Sequence, residues 1–243
     1  MLEKAIYSDK GGRPYNEDAC ATMQQASLFC AVMADGLGGH GGGDRASQMA
    51  VETVGRGMES LEAGDVISDE LLTEWFIQAN ERIVGMQTRE CQMKTTLAVL
   101  CIDEDRECAK WAHLGDSRIY HFIDKKESFC TFDHSVSRMA VLAGEIALEE
   151  IRFHRDRSKL LKVVGKEGVS KPEIGTCELG DGGHHAFLLC TDGFWEYVTE
   201  QEMEQTLMQS KNPEQWIDRM RDILQEKVDG TNDNNSAIAI FCE

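Results

Sequence analysis
The amino-acid sequence predicts an α+β protein with antiparallel strands, and three observations carry that prediction. Short apolar runs, often alternating, recur along the chain and are bounded by turn residues. Stretches with a 3.6-residue apolar period come in blocks and do not alternate with single strands, which argues against a parallel doubly wound sheet. The 243 residues contain no internal repeat, low-complexity tract or linker, so a single domain spanning 1–243 is expected.

Strands are expected first at 2–8, 18–24 and 27–34. Two amphipathic helices follow. Asp44–Leu61 gathers Ala46, Met49, Ala50, Val54 and Met58 on one side, and Asp69–Met86 does the same with Leu72, Trp75, Phe76, Ala79 and Ile83. Strands are then expected at 95–102, 108–113, 117–123 and 128–132, after which 134–168 reads as short helices broken by glycines. Strands at 173–178 and 185–190 precede two more helices. The first opens with Thr199-Glu200-Gln201-Glu202, a spacing that lets hydroxyl and carboxylate satisfy the free amides of a helix start reciprocally. The second opens with Asn212-Pro213, a capping side chain followed by proline at the first helical position. A last strand is expected at 236–241.

Composition removes several function classes. With 43 acidic and 25 basic residues the net charge is −18, which opposes general affinity for nucleic acid or for an anionic membrane surface. No apolar stretch approaches the ~18 residues of a membrane helix, and the opening MLEKAIYSDKGG is charged from the start with no apolar signal core. Nine cysteines form an odd set without a C-x-x-C pair, and several lie inside apolar runs as small hydrophobes. A reduced, cytoplasmic protein is the expectation.

One glycine motif is a decoy. Gly36-Leu37-Gly38-Gly39-His40-Gly41 matches the dinucleotide-binding pattern, but Asp35 directly before it would repel a pyrophosphate, and no alternating βα pattern follows. The position of the aspartates says more. Asp35, Asp116 and Asp192 each follow an apolar run and sit beside glycine, Asp233 lies between asparagines just before the last strand, and Glu17-Asp18 opens the second. One Asp-Gly after a strand is an ordinary turn; five acidic groups at the edges of apolar strands indicate a site for a hard divalent cation, which takes oxygen ligands. An EF-hand at 229–240 fails, because Asn234 stands where glycine is needed and Ile240 where glutamate is needed. A dehalogenase-type Asp-x-Asp fails because Met33 and Cys190 stand two positions before Asp35 and Asp192, where its first aspartate would be.

The ordered set Ser8-Asp9-Lys10-Gly11, Arg13, Asn16-Glu17-Asp18, Ala34-Asp35-Gly36-Leu37-Gly38-Gly39-His40, Thr95-Thr96-Leu97, Gly115-Asp116-Ser117-Arg118, Asp133-His134-Ser135, Cys190-Thr191-Asp192-Gly193 and Asp233-Asn234 resembles the protein phosphatase 2C family, in its bacterial form. These are metal-dependent serine/threonine phosphatases. The resemblance runs from Tyr7 to Phe241 and implies an α+β fold with a central sandwich of two antiparallel sheets, flanked by paired helices. It implies two Mn²⁺ or Mg²⁺ ions, with a third, weaker one. Asp35 would bridge the pair, Asp192 and Asp233 would hold one ion, and the Gly36 carbonyl with Glu17 or Asp18 the other. Asp116 would join Asp192 at the third, and Arg13 would grip the substrate phosphate.

Such a metal pair makes hydroxide available near neutral pH for direct in-line attack on phosphorus. The substrates implied are phosphoproteins made by a serine/threonine kinase, acted on by a monomer. His40 is a candidate general acid, with an ordinary turn histidine as the other reading. His134 reads as structural, and Thr95 and Thr96 as hydrogen-bonding support for the metal ligands. The segment 149–172, within a subdomain near 134–172, would be a flap beside the cleft. Its stretch Ile151–Lys166 carries six basic residues and one acidic, either to attract acidic phosphopeptides or as a solvated helical face. Three departures from the family pattern stand out: Lys94 where glycine is common, Tyr15 near Arg13, and the bulky Phe194-Trp195. None removes an implied ligand, so an active enzyme is expected; the alternative is a pseudophosphatase that binds phosphoproteins without turnover.

Overall fold
The structure is a computed structural model that describes residues 2–37, 42–168, 171–180 and 182–242. Its strands are β1 (Leu2–Asp9), β2 (Asp18–Gln25), β3 (Leu28–Leu37), β4 (Lys94–Thr95), β5 (Leu97–Asp103), β6 (Cys108–Leu114), β7 (Arg118–Ile123), β8 (Lys126–Cys130), β9 (Glu173–Glu178), β10 (His185–Cys190) and β11 (Asn235–Cys242). The helices are α1 (Gly43–Glu59), α2 (Asp69–Met86), α3 (Val136–Leu142), α4 (Asp192–Trp195), α5 (Glu200–Met208) and α6 (Pro213–Lys227). Two antiparallel sheets result, ordered β1-β11-β10-β7-β8 and β2-β3-β5-β6-β9, with β4 paired to β3.

Alternation along the strands divides the apolar residues between layers. On β3, Phe29, Ala31 and Met33 point between the sheets and meet Leu100, Trp111, Phe187, Leu189 and Ile238. Cys30, Val32 and Ala34 point the other way, onto Ala46, Ala50 and Val54 of α1 and Trp75 and Phe76 of α2. The second sheet repeats the scheme, with Leu188 and Ala237 beneath Met203 and Leu207 of α5 and Trp216 and Met220 of α6. Helices therefore cover both outer faces of the sandwich, as the resemblance implied. The Thr199–Glu202 capping box forms, and Asn212 Oδ1 accepts from the Gln215 amide.

Two expectations shift. The strand expected at 128–132 is β8, 126–130, because Asp124 and Lys125 take φ of 48° and 67° and turn the chain tightly without a glycine. The strand expected at 95–102 is broken at Thr96, so that Thr95 pairs with β3 while the amide of Thr96 donates to the Asp35 carbonyl. The region 134–168 holds α3 and a 3-10 turn at Leu148–Phe153, joined by turns, and contains no long helix.

Candidate metal centre
Antiparallel pairing brings the ends of β1, β3, β6 and β10 and the starts of β2, β7 and β11 to one pole of the sandwich. Asp18 and Asp35 are direct register partners across β2 and β3. Asp116 sits in the turn from β6 to β7, Asp192 opens the single turn of α4, and Asp233 lies two residues before β11. The structure thus brings together Glu17, Asp18, Asp35, Gly36, Asp116, Asp192 and Asp233. Arg13 joins them through an Nη2–Oδ2 contact of 2.7 Å with Asp233, both side chains about half exposed. His40, Gly38 and Gly39 lie outside the described residues.

Backbone contacts fix Asp35. Its amide donates to Thr96 Oγ1 at 2.8 Å and its carbonyl accepts from Thr95 Oγ1 at 2.8 Å, so the threonine pair holds the Asp35 backbone from both sides. Thr96 Oγ1 lies 2.7 Å from Ser117 Oγ, beside Asp116. Gly36 packs against the start of α1, where a Cβ would come within 2.3 Å of the Gly43 backbone and 2.6 Å of the Glu17 carbonyl. Only glycine permits that approach. Lys94, the first departure, is half-buried opposite Leu37 in β3.

Asp18 is held by groups the sequence reading missed. Its Oδ2 accepts from Thr191 Oγ1 at 3.0 Å and Ser236 Oγ at 2.7 Å, whereas Oδ1 is enclosed with no hydrogen-bond partner. Asn234 is a second unforeseen tie, accepting from the Glu17 amide and donating to the carbonyls of Lys10 and Tyr15. A signal was present: hydroxyl and amide residues next to strand-end aspartates, as with Thr95-Thr96. Trp195 also has a task, since its indole N–H donates to the Asp116 carbonyl at 2.9 Å while Arg118 stacks on its ring at 3.6 Å.

Electrostatic stress is concentrated here. Burial first, then the neighbouring carboxylates, holds Asp35 and Asp116 well above the ordinary carboxylate range. The same causes raise Asp192, and they lift Asp18 to about 7 against its hydroxyl donors. Glu17 is raised by burial and by Asp44 and Asp233. An all-oxygen set with an unsatisfied buried carboxylate oxygen and mutual repulsion fits hard divalent cations such as Mg²⁺ or Mn²⁺.

The basic segment is partly turned inward. Arg152 is buried and donates to Glu200 at 2.6 Å, Arg157 donates to Glu196 at 2.6 Å, and Arg155 and Lys159 face Asp156. Glu196, pushed up to about 7 by burial and by Asp192, ties the segment to the end of α4. Of the two readings of this segment, the helical face does not form: the chain runs in short turns, with Arg152 and Arg157 in ion pairs and Arg155 and Lys159 largely exposed.

A two-sheet sandwich with a pole of buried carboxylates and an arginine at its rim is an arrangement that suits divalent cations and a phosphate group. Comparison with known proteins agrees. The family model described as protein phosphatase 2C matches residues 10–228. The chain is 31% identical over 209 residues to the serine/threonine phosphatase stp of Listeria monocytogenes, covering 82% of this chain and 81% of that protein. It is 29% identical over 210 residues to the protein phosphatase PhpP of Streptococcus pneumoniae, covering 83% and 82%. A crystal structure of a bacterial serine phosphatase superposes with a TM-score of 0.90 at 25% identity, covering 100% of this chain and 98% of that one. The chain belongs to the protein phosphatase 2C family.

Proposed function
We propose that the protein hydrolyses phosphoserine and phosphothreonine in phosphoproteins, using Mn²⁺ or Mg²⁺ held at the acidic pole. The observation that carries this reading is the cluster of Asp18, Asp35, Asp116, Asp192 and Asp233 with an enclosed, unsatisfied Asp18 oxygen. Asp35, Asp192 and Asp233, with Glu17 or Asp18 and the Gly36 carbonyl, would hold two ions, and Asp116 with Asp192 a weaker third. Bound there, the ions supply a nucleophile active at neutral pH and offset charge on the phosphoryl oxygens.

The chain's own groups do the rest. Thr95 and Thr96 fix Asp35 through its backbone, and Thr191 and Ser236 orient Asp18. Arg13 offers a planar guanidinium suited to two-point contact with a phosphate. In this reading it would exchange its contact with Asp233 for the substrate phosphate. His40 remains the candidate proton donor to the leaving oxygen. The chain would act as a monomeric single domain in the cytoplasm, against substrates of a serine/threonine kinase. Among the described residues no helix is long and apolar enough to cross a membrane.

Phosphate release from a phosphothreonine peptide is the test, measured with Mn²⁺, with EDTA, and with Asp192→Asn. Release that requires Mn²⁺ and is lost in the variant supports catalysis. No Mn²⁺-dependent release from folded protein would return the chain to a phosphoprotein-binding role.

A further inference from the structure
We propose that His134 is a positioning residue for Asp116, joining that aspartate's turn to the segment Lys159–Leu161. This rests on the metal-centre reading above. His134 makes two bonds to one residue: its backbone amide donates to the Gly115 carbonyl at 2.9 Å, and its Nδ1 accepts from the Gly115 amide at 3.2 Å. Gly115 is the residue before Asp116 and has φ of +110°, with Thr96 Cγ2 only 2.6 Å from where a Cβ would stand. Its conformation is therefore one that few other residues adopt, held from both sides by backbone and ring.

On its other side His134 accepts, through its carbonyl, the Leu161 amide at 2.8 Å. Ser135 bridges to Leu160, and the Val136 amide donates to Lys159. One residue thus connects the flap-side segment with the Asp116 turn. Asp133, the residue before it, pairs with Arg118, the second residue after Asp116.

A competing reading is that one ligand atom each from His113, His134 and Glu173, within 4.8 Å of one another, forms a separate metal site. The geometry opposes it. The two imidazoles stack with centroids 4.8 Å apart and planes 26° from parallel, so their in-plane lone pairs run side by side and do not converge. The Gly115 amide also requires an unprotonated Nδ1, which leaves the proton on Nε2 and removes that nitrogen as a ligand. Burial keeps the ring neutral, so the Nδ1 acceptor persists at neutral pH.

The test compares wild type with His134→Leu, which removes the ring acceptor, and His134→Asn, whose Oδ1 can replace it. Mn²⁺ binding is followed by electron paramagnetic resonance, and amide exchange of Gly115 and Asp116 is measured in metal-free protein. In His134→Leu the weakest Mn²⁺ site should lose about tenfold in affinity while the tighter sites are kept, and Gly115 exchange should accelerate. His134→Asn should restore most of both. Unchanged weak-site affinity in a folded His134→Leu protein overturns the role of His134 alone. A wild-type chain that binds no Mn²⁺ overturns the metal-centre reading, and with it this inference. Without any variant, a wild-type imidazole nitrogen spectrum with the proton on Nδ1 of His134 also overturns it.

Discussion

Arg118 and Asp133 meet in a two-point pair, Nε to Oδ1 at 2.8 Å and Nη2 to Oδ2 at 2.7 Å, with side chains only 7% and 2% exposed. The guanidinium also stacks on Trp195, which holds the Asp116 carbonyl. Both charges are desolvated, so removing either breaks a buried two-point pair, although Arg118 would keep its contacts with Tyr120 and Glu200. Asp133→Asn or Arg118→Met should each cost about 3–5 kcal/mol in urea unfolding, and the double variant less than the sum. Additive costs would show that the pair is not coupled.

The crowded carboxylates set the effect of metal removal. Asp35→Asn deletes one of several mutually repelling charges. In EDTA it should melt at or above the wild-type temperature, although it loses Mn²⁺-dependent phosphate release. Added Mn²⁺ should raise the wild-type melting temperature clearly and that of the variant much less. A large drop in the variant's melting temperature in EDTA would mean that Asp35 is a structural residue and not a stressed ligand.

Arg13 separates stability from substrate binding. Its pair with Asp233 is half exposed on both sides, so Arg13→Ala should cost under about 1 kcal/mol of stability. Loss of a charge-assisted phosphate contact should lower kcat/KM by roughly tenfold or more. Arg13→Lys should recover only part of this, because an ammonium cannot make the two-point contact. Unaltered kcat/KM in Arg13→Ala would remove Arg13 from the phosphate site.

His134 gives a pH dependence of known sign. Burial, helped by His113 and Lys162 and opposed by Asp133, lowers its pKa from 6.5 to about 4. A histidine depressed in the folded state contributes stability that is complete above its unfolded pKa and is lost as pH falls from 6.5 toward 4. The raised carboxylates of the metal centre act in the opposite direction, so the comparison must be made between proteins. The stability difference between wild type and His134→Asn should shrink as pH falls through that window, in denaturant unfolding at fixed salt. A pH-independent difference would contradict the assignment.

How far the sequence could be read depended on whether a feature is local. The apolar run of β3, the apolar faces of α1 and α2, and the Thr199 and Asn212 helix starts announce themselves through short-range pattern. The clustering of acidic residues was legible because strand ends concentrate them, with Asp18 opposite Asp35 by register. The hydroxyl clamp on Asp18 was not, since Thr191 and Ser236 reach it across more than 170 positions of chain. The inward turn of Arg152 and Arg157 was hidden for the same reason: their partners Glu200 and Glu196 belong to another element. The β7–β8 turn escaped because Asp124-Lys125 adopts a backbone that usually advertises itself with glycine or asparagine.

The place of β11 has a consequence for synthesis. It lies between β1 and β10, pairing with Leu2–Asp9 on one side and His185–Cys190 on the other. A nascent chain that has not yet produced residues 233–242 has its first and tenth strands separated by a missing neighbour. It also lacks Asp233, the Asn234 tie to Glu17, and the Ser236 grip on Asp18. Assembly from the N-terminal side can build the α1–α2 half early, but that half lacks Asp192 and Asp233 of the acidic pole. A chain without residues 233–242 would therefore leave β1 and β10 with no common partner and the acidic pole without three of the groups gathered there.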